Sequence, residues 1–204
     1  MLPGGDGNVG IGDGGGMDHD TNFLVRTRDL WLSHGYAVLI VDALSGKNMR
    51  GLRSSPGYAR IIEDVVRFAV AKRHGPVFLF GTSQGSIGAI NGASHMPEGL
   101  LKGVVLTETV TRLGKSGETA FDASPERVAV PALVVANKAS QCRVAPAEDA
   151  SPLAKAMSGA PEVKIVYVDG GETLTRECGS QSPHGYFGIE KETVAEIAAW
   201  LDAH

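Results

Sequence analysis

Short, continuously apolar runs separated by longer amphipathic stretches constrain this chain more than any other feature. Residues 38–41, 77–80, 103–106, 132–135 and 163–168 are runs of β-forming residues too short to be buried helices. The stretches between them carry apolar residues at helical spacing, as in Ile61, Ile62, Val65, Val66, Phe68 and Ala69. That spacing predicts helices over 22–33, 57–73, 86–93, 147–157 and 191–203. Strands alternating with helices of this length specify βαβ units around a mostly parallel sheet. Helices cover such a sheet on both faces, so its strands read as unbroken apolar runs, and VFLF, GVVL and ALVV do so. The expected class is therefore α/β, with one domain spanning 1–204. A chain of 204 residues is long enough to bury a full core.

In folds of this kind, chemistry gathers at the carboxyl ends of the strands. The run ending at Phe80 stops directly before Gly81-Thr82-Ser83-Gln84-Gly85, a G-x-S-x-G pattern. With 27 glycines in the chain, the bare pattern arises by chance in roughly one such sequence in four, so its context carries the argument. Here it sits between a predicted strand and a predicted helix, the sharp turn that lifts a serine hydroxyl above a sheet. Glycines two residues to either side let strand and helix approach closely. Gln84 opens the helix, so its amide has no partner within the helix and faces developing negative charge. The bland alternative is a tight turn with an idle serine.

A serine hydroxyl is a poor nucleophile unless an imidazole takes its proton. Of six histidines, His19, His34, His74, His95 and His204 fall in the glycine lead, near helix ends, before a strand or at the terminus. His184 lies in Ser182-Pro183-His184-Gly185, after the last strand and before the last helix, on the edge where Ser83 is expected. A serine followed late in the chain by a histidine is the order this fold requires.

Three segments, Pro3-Gly4-Gly5-Asp6-Gly7, the turn at 81–85 and SPHGYFGIE at 182–190, together resemble the α/β-hydrolase superfamily, of the esterase/lipase type. The resemblance runs over nearly the whole chain from Pro3 onward. It implies a serine hydrolase that cleaves small carboxylic esters through an acyl-serine on Ser83, with His184 as general base and no cofactor. It also implies an oxyanion hole formed by the amides of Gln84 and of Gly5 or Asp6, with Gly5 favoured. The family orients its histidine with a carboxylate, usually after the strand at 132–135. That segment reads Ala136-Asn137-Lys138-Ala139-Ser140-Gln141-Cys142, with Ser140 where an aspartate is expected. A family alternative places the acid one strand earlier, where Glu108 follows Leu106-Thr107; Asp149, or no acid at all, are the other readings. An acyltransferase on the same residues, or a non-catalytic binding protein on a hydrolase scaffold, are the rival functions.

Composition narrows the partners. A net charge of −4 leaves no basic footprint for nucleic acid, and no apolar run reaches the length of a membrane span. Neither HExxH, a paired CxxC, a metal-spaced histidine cluster nor a phosphate-binding GxxxxGK[ST] occurs, so metal and cofactor are not expected. Arg50, Arg53 and Arg60 read either as a basic rim beside the site or as solvated surface. Cys142 and Cys178 are the candidates for one disulfide. Bonded, they place the protein in the periplasm or outside the cell, and otherwise in the cytoplasm; no signal-peptide pattern decides it. Only Met1-Leu2-Pro3 precedes the glycine loop, a stub of the strand expected there. The sheet is thus expected to lack N-terminal strands, leaving an edge that a second copy would cover in a homodimer.

Overall fold

The computed structural model describes residues 1–204, the side chain of Leu44 excepted. Its sheet is parallel, with strands β1 (Phe78–Thr82), β2 (Gly103–Thr107), β3 (Ala132–Asn137) and β4 (Val163–Val168) lying side by side in chain order. The helices are α1 (Phe23–Arg26), α2 (Arg28–Ser33), α3 (Pro56–Lys72), α4 (Gln84–His95), α5 (Ala150–Ala156) and α6 (Glu190–Asp202).

Successive side chains along a strand point to opposite faces, and two apolar clusters divide them. Leu79, Val104, Leu106, Val134 and Ala136 pack with Ile62, Ile87, Ile90 and Leu153 from α3, α4 and α5. Phe80, Val105, Leu133 and Val135 pack with Phe23, Trp31, Val194, Ile197 and Trp200 from α1, α2 and α6. Burial on both faces is why β2 and β3 are apolar at nearly every position. At the edge, β4 is only half-buried and carries Lys164 and Tyr167 outward, charge and bulk that discourage further pairing.

Three expectations need correction. Residues 38–41 are extended but form no strand of the sheet. Val41 N donates to Met1 O (3.1 Å) and the Met1 amino group donates to Leu39 O (2.7 Å). Leu2 in turn is joined to β1 by a single bridge to Gly81, and no ladder forms beside 38–41. The helix expected over 22–33 is two helices. The Thr27 hydroxyl donates back to Phe23 O (2.6 Å) and accepts from Trp31 Nε1 (3.1 Å), and the backbone breaks at this residue. The expected helix over 147–157 likewise opens as a 3₁₀ turn at Ala147–Asp149 before α5.

Candidate active site

Ser83 occupies the turn between β1 and α4 at φ 50°, ψ −122°, a conformation costly for a residue with a Cβ. The surroundings enforce it. Ser83 N donates to Thr107 O (2.9 Å), and its carbonyl accepts from Ser86 N (3.1 Å) and Ser86 Oγ (2.5 Å). A Cβ on Gly81 would meet Gly85 O at 2.5 Å, and one on Gly85 would fall on the Leu2 carbonyl oxygen. Only glycine fits at either position, because the Leu2 segment, strand and helix meet there.

The other two side chains arrive from neighbouring strand ends. His184 lies in the turn Pro183–Gly185 between β4 and α6, 4% exposed. Its Nε2 is 3.0 Å from Ser83 Oγ and its Nδ1 is 3.1 Å from Glu108 Oε2. Glu108, 1% exposed, follows β2 at φ 45°, and its Oε1 accepts from Asn137 N (2.6 Å). The structure thus joins Ser83, His184 and Glu108 in one hydrogen-bonded chain. Asp149 is engaged elsewhere: it accepts from Arg112 Nε (2.8 Å) and Thr111 Oγ1 (2.9 Å), and the Arg112 bond holds its carboxyl below the usual range. Ser140 makes no bond to the histidine; its amide donates to Asn137 O (3.0 Å).

The glycine loop is built. Gly4 lies against the turn, where an added Cβ would approach Ser83 Cβ to 3.0 Å. Gly5 takes φ 65°, and its carbonyl accepts from Arg53 Nη1 (3.1 Å). Arg53 Nη2 reaches Pro3 O (3.4 Å), and burial lowers the pKa of this guanidinium. Arg53 thus takes the carbonyls of Pro3 and Gly5 as acceptors. Among the described residues no protein acceptor takes the amide of Gly5 or of Gln84. Of the three arginines singled out in the sequence, Arg53 is therefore buried structure, Arg60 is exposed on α3, and Arg50 lies beside Gly5.

Three supporting residues escaped the sequence reading. Asp42 accepts from the amides of Val9 (2.6 Å), Ala43 (2.7 Å), Ile11 (2.8 Å) and Gly10 (3.3 Å), anchoring the continuation of the glycine loop. Burial opposes its ionisation, but these amides outweigh it and its pKa is lowered. The side chain of Asn137 donates to Pro183 O (2.8 Å) and Gly170 O (2.9 Å), so one residue holds both the Glu108 carboxylate and the histidine turn. Arg26, its pKa lowered by burial against the opposing pull of Glu190, ties α1 to the same region through Gly185 O (2.5 Å) and Ser180 O (3.1 Å). Asp42 and Asn137 both follow apolar runs, a positional signal that was available; Arg26 offered none.

A cleft of about 120 Å³ opens beside Ser83 and His184, walled by Gly4 and Gly5, Asn22 and Phe23, and the segment carrying Arg176, Cys178, Gly179 and Ser180. That segment is pinned: Cys142 and Cys178 form a disulfide joining the loops after β3 and β4. Among the described residues no group of three or more His, Cys, Asp or Glu could hold a metal ion, and no helix is long and apolar enough to cross a membrane.

A parallel sheet, a serine on a strained strand-to-helix turn and a histidine after the last strand define the α/β-hydrolase fold. Solved structures agree. A protein of the α/β-hydrolase superfamily from Xanthomonas campestris pv. campestris superposes with a TM-score of 0.58 at 20% identity, over 91% of this chain and 94% of its own. A monoacylglycerol lipase from Paleococcus ferrophilus gives 0.62 at 16% identity over 88% of each chain. An esterase from Exiguobacterium antarcticum gives 0.59 at 14% identity, over 91% of this chain and 88% of its own. No family model matches the sequence, and no curated protein is recognisably similar to it.

Proposed function

We propose that this protein hydrolyses small carboxylic esters through an acyl intermediate on Ser83. The observation that carries the reading is the unbroken chain Ser83 Oγ, His184 Nε2, His184 Nδ1, Glu108 Oε2, with links of 3.0 and 3.1 Å. In this arrangement His184 accepts the Ser83 proton as Oγ attacks the ester carbonyl, and Glu108 holds the imidazole in the required tautomer and balances its charge. The amides of Gly5 and Gln84 receive the oxyanion. His184 returns the proton to the departing alcohol, then activates the water that releases the acid. The esterase and lipase among the similar structures support an ester as substrate, and the small cleft favours short groups. The disulfide favours an oxidising compartment.

Fluorophosphonate labelling, read by intact mass on the parent and on Ser83→Ala, tests the reading. One adduct on the parent and none on the variant is expected. A folded parent that takes no label would remove the hydrolase reading and favour a binding protein on this scaffold.

A further inference from the structure

Among the residues walling the cleft, one carries a permanent charge. Arg176 is a lining residue, and no carboxylate accompanies it there. Nor does its side chain make a hydrogen bond or ion pair elsewhere among the described residues. Unpaired arginines on open surface, such as Arg60 and Arg73, need no explanation; Arg176 differs in its position beside Ser83 and His184. The backbone that carries it is held in place. The disulfide fixes Cys178 two residues on, Gly179 N donates to Arg176 O (2.7 Å), and Leu174 and Thr175 both donate to Gln181 O (2.9 and 3.1 Å).

Arg26, the neighbouring cation, is by contrast consumed, bonded to Glu190, Thr21, Ser180 and Gly185. An acidic chain thus sets one unpaired cation, and no carboxylate, among the residues lining the cleft.

We infer that the substrate is a short ester carrying a carboxylate, and that Arg176 selects it. This rests on the hydrolase reading above. A guanidinium offers two parallel N–H donors that match a carboxylate, and such a charge-assisted pair discriminates strongly against a neutral isostere. Arg176 and the Ser83–His184 pair line the same cleft of about 120 Å³, so a carboxylate close to the scissile bond can reach the guanidinium. The carboxylate can belong to the acyl group or to the alcohol, and the test separates the two.

Two matched pairs are compared on the full chain: monomethyl succinate against methyl butyrate, with the charge on the acyl side, and 3-acetoxybenzoate against phenyl acetate, with the charge on the alcohol side. The quantity read is the anionic-to-neutral ratio of kcat/KM, measured in parent, Arg176→Ala and Arg176→Glu. One pair is expected to show a ratio of about 10–100 in the parent, near 1 in Arg176→Ala and below 1 in Arg176→Glu. The pair that responds identifies the side. Arg176 is exposed, so the variants fold, and fluorophosphonate labelling of each confirms an assembled Ser83. A labelled parent with no anionic preference in either pair, or a preference that survives Arg176→Ala, overturns this inference alone. A parent that does not label overturns the hydrolase reading beneath it.

Discussion

Replacing Glu108 by Gln changes one oxygen of a buried carboxylate into an NH₂ group and leaves its shape intact. The carboxylate uses its two oxygens differently: Oε1 accepts from Asn137 N at 2.6 Å and Oε2 faces His184 Nδ1 at 3.1 Å. In the variant the remaining oxygen keeps the Asn137 bond, because the backbone N–H can only donate. The new amide therefore points at Nδ1, which must accept. The proton moves to Nε2, and the imidazole now donates towards Ser83 Oγ instead of taking its proton. A carboxamide in the same role in a serine protease triad lowers kcat by about 10⁴, some 5–6 kcal/mol of transition-state stabilisation. Pre-steady-state labelling of Ser83 by a fluorophosphonate reads the loss directly, and it should slow by about 10³–10⁴. Thermal unfolding should change little, since volume and one hydrogen bond are retained. Labelling within threefold of the parent would refute the argument and return Glu108 to a structural role.

Three further outcomes follow from the supporting residues. Asn137→Ala removes two donors and strands the carbonyls of Pro183 and Gly170; it should cost about 2–4 kcal/mol in urea unfolding and slow labelling, and an unchanged midpoint would contradict this. Asp42, whose carboxyl pKa is lowered from 3.8, contributes stability that is complete above that value and is lost as pH falls through its lower folded pKa. Asp42→Asn should therefore be less stable than the parent by about 1–3 kcal/mol at pH 6 and converge on it only as pH falls below that lowered pKa, whereas parallel curves would exclude the linkage. Reduction of the disulfide, which closes a sequence separation of 36 residues, should lower stability by about 4 kcal/mol of chain entropy. Two free thiols in unreduced protein from its native source would deny the bond.

What the sequence revealed of this molecule follows from which interactions are local. The strands at 78–82, 103–107 and 132–137 were legible because both faces are buried, which writes an unbroken apolar run. Residues 38–41 carry the same signature without forming a strand of the sheet, since a ladder needs a partner and periodicity does not report its length. Ser83 was legible through the steric demand for Gly81 and Gly85, and His184 through its place between the last strand and last helix. Glu108 was the favoured acid, with Asp149 or no acid at all as the other readings. The choice between them depends on the register that sets Thr107 beside Val135 and brings the Glu108 carboxylate to the Asn137 amide, a relation across strands that no local pattern encodes. Arg26 stayed hidden for the same reason, its partners lying 154–164 residues away, and although Asn137 follows an apolar run, nothing local marks its bonds to Gly170 and Pro183, 33 and 46 residues on.

The central claim is that Ser83 becomes acylated during turnover. Acid-quenching the protein within milliseconds of mixing with a short activated ester, followed by intact mass and peptide mapping, observes that species directly. An acyl adduct is expected on the peptide bearing Ser83 in the parent, and none in Ser83→Ala or His184→Ala. Ester turnover without any adduct, or with an adduct that persists in Ser83→Ala, would contradict it.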